Sequence, residues 1–117
     1  MYHALVLLFK LLISHFLCDF ALQTPWIAQN KNRHNAPKDN ALPPGQQPQT
    51  IWPYVLTAHA MIHAGGTWVA MGEPLAAGFM FLTHWALDYM KCENLWGFHT
   101  DQFMHLSVLV ILCLPEI

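Results

Sequence analysis

Charge is scarce in this chain. Only 10% of its 117 residues are Asp, Glu, Lys or Arg, against roughly a quarter in a soluble domain. Hydrophobic residues make up 55%. That balance excludes an ordinary soluble globule and points to a membrane protein. The net charge of −2 leaves no cationic footprint, so nucleic acid is excluded as a partner. Cysteine is too sparse for a framework. Cys18, Cys92 and Cys113 show no CxxC spacing, and three thiols cannot all pair. A zinc ribbon and a disulfide scaffold are both excluded, and the three are read as free packing residues. No basic stretch precedes the apolar residues 4–9, and no small-residue cleavage site follows them. The first hydrophobic stretch is therefore expected to be retained, not removed as a signal peptide.

Four apolar segments remain, at about residues 2–23, 53–71, 75–91 and 99–114. Pro53 suits a first helical turn. Gly72 and Pro74 mark a tight turn, Gly97 breaks the chain, and Pro115 ends the last segment. Thr100 is the expected N-cap of segment four. Segments three and four are shorter than the roughly 20 residues of a standard span. Between segments one and two lies a long polar loop, about residues 25–52, rich in Asn and Gln and containing Pro37, Pro43, Pro44 and Pro48. The expected fold is all-α: an antiparallel four-helix transmembrane bundle, a single domain over 1–117.

Each apolar segment carries one pair of His or Asp residues four apart: His15 and Asp19, His59 and His63, His84 and Asp88, Asp101 and His105. On a helix both members of such a pair project from one face. Random scatter of His and Asp at this density gives roughly 1.2 such pairs; the chain has four, one per segment. Imidazole and carboxylate are the usual protein ligands of zinc and related divalent ions. In lipid they are too costly to keep without partners or a function. The pattern predicts one or two divalent metal ions held inside the bundle: zinc first, with manganese or iron as alternatives.

Orientation follows from the loops. Lys31, Arg33 and Lys38 lie between segments one and two, and Lys91 lies between three and four. The positive-inside rule places both loops on the cytoplasmic side. All four pairs then sit towards that side of an inner, cytoplasmic membrane. They are expected in two layers, Asp19, His59, Asp88 and Asp101 outside and His15, His63, His84 and His105 one turn deeper, about 6 Å apart. Some Asp residues are expected to orient a metal-bound His through its second ring nitrogen. Gln102 and Gln23 stand beside the constellation, while His3, His34 and His99 fall outside it. Trp26, Trp52 and Trp96 are expected at membrane interfaces, and Lys10 within the first span has to snorkel or find a partner.

The motifs His15-x-x-x-Asp19-Phe20-x-x-Gln23-Thr24, His59-x-x-x-His63, His84-x-x-x-Asp88 and Asp101-Gln102-x-x-His105 resemble those of a family of small multipass membrane proteins of unknown function in bacteria and phages. More distantly, the chain is similar to membrane-bound metal-dependent hydrolases. The second resemblance implies a hydrolase and supplies no substrate.

The leading expectation is a metal-dependent membrane hydrolase acting on a lipid or lipid-linked phosphoester or amide near the cytoplasmic interface. Asp101 or Asp19 is the expected general base, with Gln102 binding water or substrate. The alternatives are a metal or proton transporter or relay, and a phage membrane protein whose metal only staples the helices together. Self-association into a homo-oligomer is left open.

Overall fold

The computed structural model describes residues 1–35, 43–47 and 49–116. Pro37, Lys38 and Pro48, expected in the polar loop, lie outside the described residues. Among the described residues the fold is all helical. Five α-helices follow in order: α1 (Tyr2–Phe16), α2 (Pro25–Asn30), α3 (Trp52–Met71), α4 (Pro74–Cys92) and α5 (Phe98–Cys113).

Local chemistry sets the boundaries. Residues 2–23 contain no Pro or Gly, so the first helical run is broken only before Pro25. It changes pitch at its end. Over Leu17–Ala21 the backbone closes wider turns, with the Leu22 N–H bonded to the Leu17 carbonyl at 2.8 Å. Such π-turns gather at functional positions, and this one carries Asp19. α2 was not expected, since residues 25–52 read as loop. Thr24 caps it, its hydroxyl accepting from the Ile27 N–H at 3.2 Å, and Pro25 occupies the first turn. α3 and α4 both open with Pro in the first turn. α3 ends at Gly72, whose φ of 74° gives the left-handed cap that only glycine adopts freely. α5 is capped by Gly97 and not by Thr100, which sits inside its first turn. The helix starts one residue after the glycine, so the threonine hydroxyl comes too late to serve.

Two-residue and five-residue connections join α3 to α4 and α4 to α5, which reverses the chain each time. α1 packs on α3 and α5, α3 on α4, and α4 on α5, closing a ring of four long helices with α2 laid against α3. Leu11, Met80, Leu87, Val108 and Leu109 form the apolar part of the interior. Gly66 lets α1 and α3 approach closely: a Cβ there would collide with the Ser14 hydroxyl.

Apolar side chains also cover much of the outer surface, while polar ones are buried. Val69 and Leu75 are 90% and 86% exposed. His59, His84 and Asp101 are among the most deeply buried side chains. Two helices, Tyr2–Ala21 and Phe98–Glu116, are long and apolar enough to cross a membrane by length and composition. The shortness expected of segments three and four is not what separates the helices. α4 has 19 residues, and a 3₁₀ turn, Leu114–Glu116, extends the last helical run. α3 and α4 have the length, at 20 and 19 residues. They are not among the two helices apolar enough to cross a membrane.

Candidate metal centre

The ring places the second half of α1, the first half of α3, the second half of α4 and the first half of α5 at one end. All eight paired residues meet there, and all eight are buried. Asp19 receives the most contacts. Its Oδ1 lies 3.0 Å from His63 Nε2, 3.4 Å from His59 Nε2 and 3.9 Å from His84 Nε2, and its Oδ2 lies 3.4 Å from His15 Nε2. Asp88 gathers His59 at 3.3 Å, His84 at 3.5 Å and His105 at 3.3 Å. Asp101 Oδ1 lies 3.4 Å from His105 Nε2.

Six of these nitrogen–oxygen separations, those between 3.3 and 3.5 Å, share one property. They are long for an N–H···O hydrogen bond. They match the edge of a coordination polyhedron: two ligands at roughly 2.0–2.1 Å from a tetrahedral zinc are about 3.3 Å apart. The Nε2 atoms of His59, His84 and His105 have no hydrogen-bond partner, although they are fully buried. Buried ring nitrogens without partners are costly. A cation among them would satisfy them, so the residues present fit a metal.

Two groups of donor atoms lie close enough together to hold an ion: Asp19, His59, His63 and His84, and then His84, Asp88 and His105. His15 and Asp101 flank these groups without joining either. The groups do not follow the expected layers. Each combines residues from both, and they share His84. The reason is reach: imidazole rings meet across the layers, His59 against His63 with centroids 4.9 Å apart and against His84 at 5.0 Å. Nor do the aspartates orient histidines through a second nitrogen. Every Asp–His approach is to Nε2, the same nitrogen that would face an ion.

The surroundings include residues that the sequence pattern did not assign to the site. Lys31, expected on a cytoplasmic surface, is only 8% exposed. Its ammonium donates to Asp88 Oδ2 and to Gln23 Oε1, each at 2.6 Å. Trp96, expected at a membrane interface, donates from Nε1 to Asp101 Oδ1 at 3.2 Å, and Lys91 Nζ lies 3.5 Å from Asp101 Oδ2. Gln102 bridges the centre, donating to Asp19 Oδ2 at 3.2 Å with its carbonyl oxygen 3.3 Å from His15 Nε2. Gln23 donates to the Asp19 backbone carbonyl at 3.2 Å. His34 pairs instead with Glu93, outside the centre.

A family model described as "Protein of unknown function (DUF3307)" matches residues 7–116. The chain belongs to that family. Membership covers all four pairs, and the family's description assigns it no activity. No curated protein and no solved structure matches the chain significantly.

A cavity of about 40 Å³ opens beside the centre, lined by Asp19, Gln23, Lys31, Asp88, Asp101 and Gln102 among others. That is room for a water or for oxygens of a compact polar group. A larger groove, about 520 Å³, runs between α1 and α3 past Ser14, Cys18 and Gly66. It is apolar and lined by none of the eight residues.

Proposed function

We propose that this protein is a metal-dependent hydrolase embedded in a membrane as a four-helix transmembrane bundle, acting on a lipid or lipid-linked phosphoester or amide at the cytoplasmic face. The observation that carries the reading is the set of buried Nε2–carboxylate separations at 3.3–3.5 Å, the spacing of ligands around a shared cation. The apolar outer surface supports lipid as the surrounding solvent, because polar groups in a bilayer turn inward.

A divalent ion held by Asp19, His59, His63, His84, Asp88 and His105 would supply Lewis acidity and bring the pKa of water towards about 7. The chain's own residues divide the remaining work. Asp19 and Asp88 each face several imidazoles and are committed to the ligand set. Asp101 faces only His105 among the histidines and also borders the cavity. It is the better placed general base, taking a proton from the attacking water and passing it to the leaving oxygen or nitrogen as the scissile bond breaks. Trp96 fixes its carboxylate by donating to Oδ1. Gln102 holds Asp19 and His15 in register from the cavity wall.

The transport reading fits less well. Among the described residues both groups able to hold an ion share His84, so they form one station with no second along the helices. The staple reading shares the same residues, since the centre ties α1, α3, α4 and α5 together, and differs only in lacking turnover. Asp101→Asn separates them. The hydrolase reading expects this variant to keep its helicity and bound metal and to lose at least about 100-fold in turnover of a micellar phosphoester or amide, the scale of general base catalysis. Unaltered chain that holds metal yet turns over no ester or amide presented in micelles would contradict it.

A further inference from the structure

Lys31 is the only buried lysine or arginine among the described residues. Burying an ammonium is expensive unless it is paired, and the fold takes trouble to do it. Thr24 and Pro25 start α2, α2 packs on α3, and Lys31 follows at its end. Just beyond, Arg33 and His34 both bind Glu93 in the turn between α4 and α5. The segment is thus pinned on both sides of the lysine. Lys31 is placed over the centre by backbone and ion pairs, not by a long side chain that happens to lean inward.

Its partner is informative. Asp88 Oδ2 accepts from the Lys31 ammonium at 2.6 Å and also lies 3.3 Å from His59 Nε2 and 3.5 Å from His84 Nε2. One oxygen therefore stands between the lysine and the proposed ligands. Charge decides what the lysine does next. Three carboxylates (Asp19, Asp88, Asp101) and two lysines (Lys31, Lys91) line the cavity, a net charge of one negative. A single divalent ion turns the cavity positive, and two make it strongly so. An ammonium in that setting has lost its electrostatic debt to the carboxylates and faces a cavity that now attracts anions.

We propose that Lys31 is the anion-receiving residue of the centre, and that the group it receives is a phosphoryl oxygen of the substrate. The inference rests on the hydrolase reading and narrows it to phosphoesters. An amide substrate is neutral and offers a buried ammonium a carbonyl oxygen but no charge. A phosphoryl group brings charge and several acceptor oxygens, and lysine binds phosphate as a point charge. The amide groups of Gln23 and Gln102, on the same cavity wall, offer further hydrogen-bonding partners.

The test uses the full chain in detergent micelles, loaded with zinc, as unaltered protein, Lys31→Gln and Lys31→Arg. Inorganic phosphate is titrated in one arm; micelles doped with phosphatidic acid are used in the other. All three proteins are expected to hold the same zinc. Lys31→Gln is expected to bind the phosphoryl ligand at least about tenfold more weakly, and Lys31→Arg to stay within a few-fold of the unaltered chain. Tighter Lys31-dependent binding in the doped micelles assigns the group to a lipid headgroup, and in the other arm to a soluble ester. A zinc-replete Lys31→Gln that binds both ligands as tightly as the unaltered chain overturns the role of Lys31 alone. Failure of the unaltered chain to take up zinc overturns the metal reading beneath it. Should Lys31→Gln lose its helicity, the lysine 15Nζ resonances of the unaltered zinc-loaded chain decide: phosphate shifts one of them, or the proposal falls.

Discussion

Around Leu11, Met80 and Leu109 the long helices meet through apolar side chains; one turn along each helix, around His15, His84 and His105, they meet through imidazoles and carboxylates. The apolar part tolerates small slides, because dispersion and burial have little direction. The polar part does not. Each Nε2 must aim at a particular oxygen, and the groups there have no compensation from solvent. Both regions contribute stability, but only the polar one carries the groups that could hold a metal, so metal content should separate a change in one from a change in the other.

The largest effect is expected at His84, which both ion-holding groups share. His84→Ala should abolish metal retention, measured by elemental analysis, and should leave the surrounding carboxylates uncompensated. Breaking a buried charged network in this way costs about 3–5 kcal/mol, read as a fall in thermal unfolding temperature. The matching change in the apolar part is Leu109→Ala. Leu109 is 1% exposed, so the cavity left behind should cost roughly 2–5 kcal/mol. Metal stoichiometry should not move. If Leu109→Ala loses metal as readily as His84→Ala, the two regions are not separable and the comparison fails.

Smaller changes sharpen it. Trp96→Phe removes the donor to Asp101 Oδ1 while keeping most of the aromatic volume. It should cost about 1 kcal/mol of stability and shift the pH profile of turnover, with metal content unchanged. A loss of bound metal would show instead that Trp96 supports the ligand set. The smallest expected effect lies outside the helices. Arg33, with His34, holds the Glu93 carboxyl down to about 2. A carboxyl depressed on folding stabilises above its ordinary value of about 4.3. That stabilisation is lost as pH falls from there towards the folded value. Glu93→Gln should therefore flatten stability against pH between about 4 and 2, with its loosened clamp visible as faster hydrogen exchange over residues 31–35.

The helical fold and the eight-residue constellation were readable because their cause is local. A spacing of four on an apolar helix puts two side chains on one face, and only the interior can accommodate them. Pro53, Gly72 and Pro74 marked helix ends for equally local reasons. α2 had a signal that the polar composition obscured: Thr24 before Pro25 is an N-cap followed by a first-turn proline. Lys31 and Trp96 had none, since their places follow from how α2 folds back and how the turn before α5 closes. The π-turn around Asp19 was hidden for a similar reason, because nothing in residues 17–21 distinguishes a five-residue from a four-residue closure. The mixing of the two layers was not legible, because helix rise sets the height of each backbone position and not which ring of a neighbouring helix an imidazole meets.

The central claim is that imidazoles and carboxylates converge to hold a cation. Elemental analysis of the unaltered chain, purified in mild detergent after exposure to micromolar zinc and exhaustive dialysis, tests it most directly. About one or two equivalents of zinc per chain are expected from the two groups that share His84. A helical, fully folded protein that retains none would contradict the account.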